Sequence, residues 1–186
     1  MDKLIIVGAG GLGRMVLETA LSFKYDCAFL DDNESLKEVC GVKVLGKIST
    51  LPNHINSFKY CVCAIGNNKL RERYDLIARS LGYKVPNIIN KTAYVSPFAK
   101  IGTGVILLNN VCVQNGAIIG NGVVITANSE IHHDCEIGDY SLIYSCSSIR
   151  TFSKIGKRVK IGSTVTISNN AVVLDDQIIK DGETIN

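Results

Sequence analysis

From Val95 onward every sixth residue is aliphatic: Val95, Ile101, Leu107, Val113, Ile119, Ile125, Ile131, Ile137, Ile143, Ile149, Ile155, Ile161, Ile167, Val173, Ile179 and Ile185, without one insertion. Four positions after most of these stands a small residue, as at Ala99, Ala117, Ser129, Cys135, Ser141, Ser147 and Ser153. Glycine often follows the aliphatic residue directly, as at Gly102, Gly120, Gly138, Gly156 and Gly162. A period of six is not the face of an α-helix, which turns every ~3.6 residues. It marks a repeat architecture, in which each unit buries its aliphatic residue only by stacking on its neighbours.

The first half of the chain follows another rule. Lys3–Val7, Ala28–Leu30 and Tyr60–Ile65 are short apolar runs, and each ends in a turn rich in Gly, Asp or Asn. An amphipathic stretch from Arg14 to Phe23 follows the first run. Another, with Leu70, Tyr74, Ile77 and Leu81 at helical spacing, follows the third and meets a C-terminal glycine at Gly82. Buried strands alternating with helices predict a small parallel sheet that carries its ligand at the strands' carboxyl ends. Val85–Lys91 leads out of it.

Composition narrows the picture. With 46% hydrophobic and 20% charged residues a packed core is expected, and disorder is not. A net charge of +3, spread along the chain, argues against a nucleic-acid partner. The seven cysteines, an odd number with several in apolar runs, suit reduced thiols in the cytoplasm and not a secreted disulfide framework. Cys61 and Cys63 form C-x-C with no second pair at metal-site spacing, so they read as small buried residues and no metal is assigned. The apolar start is too short to span a membrane and lacks a signal-peptide pattern.

Two constellations carry chemistry. The first is Gly8-Ala9-Gly10-Gly11-Leu12-Gly13, with Asp31-Asp32 about twenty residues on. Glycines at a helix N-terminus let a phosphate approach the backbone, and a carboxylate can accept from a ribose or base. The domain is too small for a two-half dinucleotide fold, so a mononucleotide or nucleotide-sugar is the expected ligand. On sequence grounds Asp31→Ala should weaken that binding and leave thermal stability unmoved. The second is Glu130-Ile131-His132-His133-Asp134 inside the repeat. A histidine beside a carboxylate can take a proton from an amine or hydroxyl. The competing readings are solvated surface histidines or a zinc site, for which no third ligand is evident.

The opening glycine turn, Phe29-Leu30-Asp31-Asp32, Ala64-Ile65-Gly66-Asn67-Asn68 and His133-Asp134-Cys135 before Ile137-Gly138 resemble the sialic-acid O-acetyltransferase and nucleotide-amino-sugar N-acetyltransferase family over nearly the whole chain. The resemblance implies a Rossmann-like domain over residues 1–90, then a left-handed parallel β-helix over residues 91–186 with about five coils of three hexapeptides each. It implies a homotrimer in the cytoplasm that uses acetyl-CoA to acetylate an amino or hydroxyl group of a nucleotide-linked sugar in bacterial glycan or polysaccharide synthesis. His133 would be the base and Asp134 its support. Gly8, Gly10, Gly11, Asp31, Asp32, Gly66 and Asn67 would bind the substrate, and Thr151, Gly162 and Ser163 the acetyl-CoA. The chain departs from the family pattern at Leu12 and Leu142, where histidines are usual, and at Thr151, where a glycine is usual. It ends at Asn186, before the usual Gly-x-Pro-Ala-Lys. These departures leave a second class open: a trimeric relative that binds a nucleotide-sugar or acts as an interaction module.

Overall fold

Leu4, Ile5, Ile6 and Val7 have no exposed surface, and a strand apolar on both faces belongs in the middle of a covered sheet. The computed structural model, which describes residues 2–186, places it there. In chain order the N-terminal elements are β1 (Lys3–Val7), α1 (Gly11–Ser22), β2 (Asp26–Leu30), the short hairpin β3 (Glu38–Val39) and β4 (Val42–Lys43), a 3-10 turn (Ile48–His54), β5 (Tyr60–Cys63) and α2 (Asn68–Ser80). The sheet runs β2-β1-β5, all parallel. The chain thus moves to one side of β1 with β2 and to the other with β5. That reversal opens a crevice at the carboxyl ends of β1 and β5.

The strands and both helices lie where the apolar runs put them, but the buried face of α2 does not follow its apolar residues. Leu70 is exposed, and Tyr74, Ile77 and Leu81 are half-buried, whereas Asn68, Arg71, Asp75 and Ala78 are buried. Two of the buried polar residues are seen bonded: Arg71 donates to the Ile65 carbonyl (2.8 Å), and Asp75 accepts from Arg79 (2.7 Å). A hydrophobicity pattern cannot register a stripe whose polar members are satisfied inside. The hairpin and the 3-10 turn were also absent from the sequence reading. Gly82 takes φ +90° just past α2, and its N–H donates to Arg79 O, as a C-terminal glycine should.

The second compact unit begins at Asn87. It is a parallel β-solenoid of the left-handed β-helix type. Two-residue strands alternate among three sheets of six, five and six strands, and each pairs with the strand eighteen residues away, as in Val113↔Ile131↔Ile149↔Ile167. The first rung is Ile88–Ile89, paired with Ile106–Leu107, one hexapeptide ahead of where the aliphatic series was read to begin. The row of sixth residues fills the interior with the small residues between them, from Val105 to Ile179. Full burial of each Val, Leu or Ile contributes about 1.5–3 kcal/mol.

A second register runs through the coils. Residues 110, 128, 134, 140, 146, 152, 158, 164, 170 and 176 all lie at φ between 55° and 62°, and Gly104, Gly116, Gly122 and Gly182 fill the same series. Each is the left-handed residue that turns a corner. The cost of that conformation is offset by coil-to-coil hydrogen bonds. The N–H of Asn128 donates to Asn109 O, Asp134 to Asn115 O, Arg158 to Asp139 O and Thr164 to Ser145 O, at 2.9–3.0 Å.

Candidate functional site

In the N-terminal unit the parallel sheet brings three segments to one edge. Gly8–Gly13 follows β1, Asp31–Asp32 follows β2 and Gly66–Asn67 follows β5. The turn after β1 is tight. A Cβ on Gly13 would collide with the Gly8 carbonyl oxygen, so helix and strand approach as closely as they do only because that residue is glycine. Gly10 is the N-cap of α1 and has no side chain to satisfy the first amides, and the first turn holds no acidic residue. Gly10 and Gly11 are exposed and face open space. Free amides and the positive end of a helix together favour an anion.

The two aspartates are already engaged. Asp31 Oδ2 accepts from the Ala9 N–H (2.7 Å) and Oδ1 from the Asn33 N–H (2.8 Å), while Asp32 Oδ1 accepts from the Ile48 N–H (2.9 Å). A carboxylate has about four acceptor positions, so each retains capacity toward a ligand. Asp31 nonetheless serves first as the brace of the glycine turn. Asn67 likewise caps α2, its side chain accepting from the Leu70 N–H (3.0 Å). Gly66 beside it is exposed.

In the β-helix the candidate residues share one corner on successive coils. Gln114-Asn115-Gly116, His132-His133-Asp134 and Arg150-Thr151-Phe152 stack at intervals of eighteen residues, between the sheet holding Cys112–Val113 and the sheet holding Ile118–Ile119. His133 Nδ1 lies 2.9 Å from Asp134 Oδ2. An ionised carboxylate only accepts, so Nδ1 carries the proton and neutral His133 presents a lone pair at Nε2. That nitrogen lies 3.3 Å from Thr151 Oγ1. The His133 backbone N–H donates to Gln114 Oε1 (3.1 Å), and the Phe152 ring meets the imidazole edge-on at 5.7 Å. A Cβ on Gly116 would run into Asp134 Oδ1, so glycine there makes the room the carboxylate occupies. The pair is about half exposed and reachable by a ligand.

His132 faces other partners, Ser148 Oγ at 3.3 Å and Glu130 Oε2 at 3.4 Å. Cys135 is buried, its thiol donating to Arg150 O (3.0 Å), and burial holds its pKa above the ordinary thiol value. Thiolate chemistry is therefore not on offer beside His133. Among the described residues no group of three or more His, Cys, Asp or Glu is placed to hold a metal, and no helix is long and apolar enough to cross a membrane.

Gly162 and Ser163 lie on a different corner from Thr151, between the sheet holding Lys160–Ile161 and that holding Thr166–Ile167. They line a shallow groove of ≈ 410 Å³ with Tyr144, Lys160, Lys180 and Asp181. Ser163 N–H donates to Asp181 Oδ1 (2.8 Å), and the Lys160 ammonium sits over the Tyr144 ring. Within one chain the structure does not bring Thr151 together with Gly162 and Ser163. Leu142, where the family pattern has a histidine, is 1% exposed. Sequence reasoning missed Gln114, Gly116 and Phe152. A step of eighteen residues either way from His133 and Asp134 reaches Gly116, Thr151 and Phe152, and that step is the coil length implied by the hexapeptide repeat.

A small parallel-sheet domain with helices, followed by a hexapeptide β-helix with a histidine–carboxylate corner, defines a class of acyltransferase architecture. Comparison with known proteins places the chain within it. Residues 3–74 match the PglD N-terminal domain and residues 116–151 the bacterial transferase hexapeptide of six repeats. The chain is 30% identical to the acetyltransferase domain of PglB from Neisseria gonorrhoeae FA1090, covering 100% of this chain and 92% of that one, with a TM-score of 0.95. The same domain in complex with acetyl coenzyme A aligns with a TM-score of 0.88 at 29% identity, covering 98% of this chain and 95% of that one. PerB from Caulobacter crescentus, in complex with CoA and GDP-perosamine, is 25% identical, covering 100% of this chain and 89% of that one, with a TM-score of 0.93. Over 101 residues, 53% of this chain, it is 29% identical to uncharacterized protein L142 of Acanthamoeba polyphaga mimivirus, of whose length it spans 20%. The chain belongs to the sugar acetyltransferase family in which a PglD-type domain precedes a hexapeptide β-helix.

Proposed function

We propose that this chain transfers the acetyl group of acetyl-CoA to an amino, or alternatively a hydroxyl, group of a nucleotide-linked sugar destined for a bacterial glycan. The observation that carries the reading is the His133–Asp134 pair, hydrogen-bonded at 2.9 Å on an exposed corner with Nε2 left as the basic atom. The amine of a 4-amino sugar is largely protonated near neutral pH, so a base must remove a proton before or during attack on the thioester. His133 does this, and Asp134 fixes its tautomer and stabilises the imidazolium. The glycine turn at Gly8, Gly10 and Gly11 takes the nucleotide's phosphates on the amides of α1. Asp31, Asp32, Gly66 and Asn67 border the same crevice and accept from the ribose, base or sugar. Gly162 and Ser163 take acetyl-CoA in the groove whose Lys160 and Lys180 suit its phosphates. That PglB's domain is complexed with acetyl-CoA and PerB with CoA and GDP-perosamine supports both ligand classes.

The test combines two titrations with one assay. Calorimetry with acetyl-CoA, and separately with UDP-, dTDP- and GDP-linked 4-amino sugars, should give one binding event for the donor and one for a matching acceptor. Mixing the two should release free CoA thiol. Binding of the nucleotide-sugar without thiol release from any acceptor would sink the transferase and leave a binding module in its place.

A further inference from the structure

The basic nitrogen of His133 already has a neighbour: Thr151 Oγ1 lies 3.3 Å from it. Nδ1 is committed to Asp134, so the hydroxyl must be the donor and Nε2 the acceptor of that bond. Threonine is stiff at χ1. The Thr151 carbonyl also accepts from the Asn170 N–H (3.0 Å), which ties this residue to the coil beyond it. Phe152, one residue on, meets the imidazole edge-on at 5.7 Å. The chain therefore carries a carboxylate–imidazole–hydroxyl series, Asp134–His133–Thr151. It ends on an oxygen whose two lone pairs are free to receive an N–H or O–H.

We infer that Thr151 is a catalytic relay: the acceptor gives its proton to Thr151 Oγ1 while the Thr151 hydroxyl gives its own to His133 Nε2. This rests on the acetyl-transfer reading. The acceptor that reacts is the fraction present as free amine: its nitrogen lone pair forms the new C–N bond at the thioester carbonyl, and the N–H proton passes to Oγ1. The Oγ1 proton moves to Nε2, and the C–S bond breaks with its electron pair leaving on sulfur. The imidazolium returns its proton to the thiolate, so acetyl thioester and amine become amide and thiol with His133 and Thr151 restored. The acceptor atom then lies one hydroxyl further from the imidazole than in direct abstraction.

The full-length protein, assayed for CoA thiol release with acetyl-CoA and the best of the nucleotide-linked 4-amino sugars, tests this with two variants. Thr151→Val keeps the shape and removes the hydroxyl. It should lower kcat by about 10²-fold, the low end for loss of a proton-transfer group, with KM within about twofold. Thr151→Ser should recover most of that rate. A proton inventory in mixed H2O and D2O should be curved in the wild type, as two moving protons require. The ¹⁵N shift of His133 Nε2 should change in Thr151→Val and not in Thr151→Ser. A Thr151→Val enzyme as fast as wild type, or faster, overturns the relay while leaving the transferase standing. An Nε2 signal indifferent to the hydroxyl overturns it without reference to turnover. A wild-type protein that acetylates none of the sugars defeats the transfer reading and the relay with it.

Discussion

His133 and Asp31 carry two kinds of proposed role, one presenting a basic atom and one bracing the backbone. His133→Ala removes the proposed base, and turnover should fall by about 10²–10⁴-fold while nucleotide-sugar affinity, which the proposal assigns to the other unit, should stay nearly unchanged. Asp134→Asn should cost less, since an amide still reaches Nδ1. His132→Ala should be milder again, because its ring is turned toward Ser148 and Glu130. Steady-state kinetics of the three order the roles, and a larger loss in His132→Ala would move the base by one position. Gly116→Ala is the indirect counterpart: its methyl group would displace the Asp134 carboxylate, so kcat should drop although residue 116 touches no substrate. Asp31 behaves otherwise than its sequence context suggests. Its two oxygens accept from the Ala9 and Asn33 amides, and Ala9 is buried. Asp31→Ala should therefore weaken nucleotide-sugar binding by about 1–3 kcal/mol and also destabilise the domain by a similar amount, as a buried amide loses a charged acceptor. A calorimetric scan that showed binding lost at an unchanged melting temperature would return Asp31 to a pure ligand contact.

The coil corners show what a sequence reveals about an element and what it hides. The inward row was legible from Val95 to Ile185 because all its members are aliphatic and evenly spaced. The left-handed row was not, since Asn128, Asp134, Tyr140, Cys146, Phe152, Arg158 and Thr164 share a backbone angle and no side-chain chemistry. The buried face of α2 was hidden for a related reason: Arg71 and Asp75 are polar residues satisfied inside. At the candidate site, His133-Asp134 could be read because the two are adjacent. The eighteen-residue coil length puts Thr151 on the same corner one coil on, but the contact of its hydroxyl with Nε2 needed the side-chain geometry. The corner row also makes a stability prediction. A β-branched residue at φ 57° is strained by about 1–2 kcal/mol, and glycine costs about 0.5–1 kcal/mol in unfolded-state entropy. Thr164→Gly should therefore stabilise the β-helix by up to about 1 kcal/mol, a rise of up to about 4 °C in melting temperature. Asn170→Gly should do less, because asparagine already tolerates the left-handed region. Equal shifts for the two would mean that the corner strain is relieved elsewhere.

The arrangement of candidate residues on separate corners bears on the assembled molecule. His133, Asp134 and Thr151 lie on one edge of the triangular coil, and Gly162, Ser163, Lys160 and Lys180 belong to the groove at another. One chain therefore holds the base and the proposed donor groove apart. A cyclic assembly joins unlike patches of successive subunits, so one chain's edge can meet a different edge of its neighbour. The sheet beside the His133 corner has surface suited to such packing: Ile118, Val172 and Leu174 are exposed along a shallow groove of ≈ 690 Å³, crossed by the Lys154–Glu136 and Lys157–Asp139 ion pairs. The expected state is a homotrimer, which light scattering should report as three times the 20.1 kDa chain mass. The sharper measurement is complementation. His133→Ala lacks the base, and a Lys160→Glu, Lys180→Glu chain should lack donor binding, so each alone should be inactive. If each site takes its base from one subunit and its donor groove from the next, unfolding and refolding the two together in equal amounts should restore roughly a quarter of wild-type activity. That is the chance that an intact base faces an intact groove. If every site is built within one chain, the mixture stays dead. A dead mixture from trimers shown to have exchanged subunits would place acetyl-CoA on the His133 corner of a single chain, and the groove at Gly162 and Ser163 would lose its assignment.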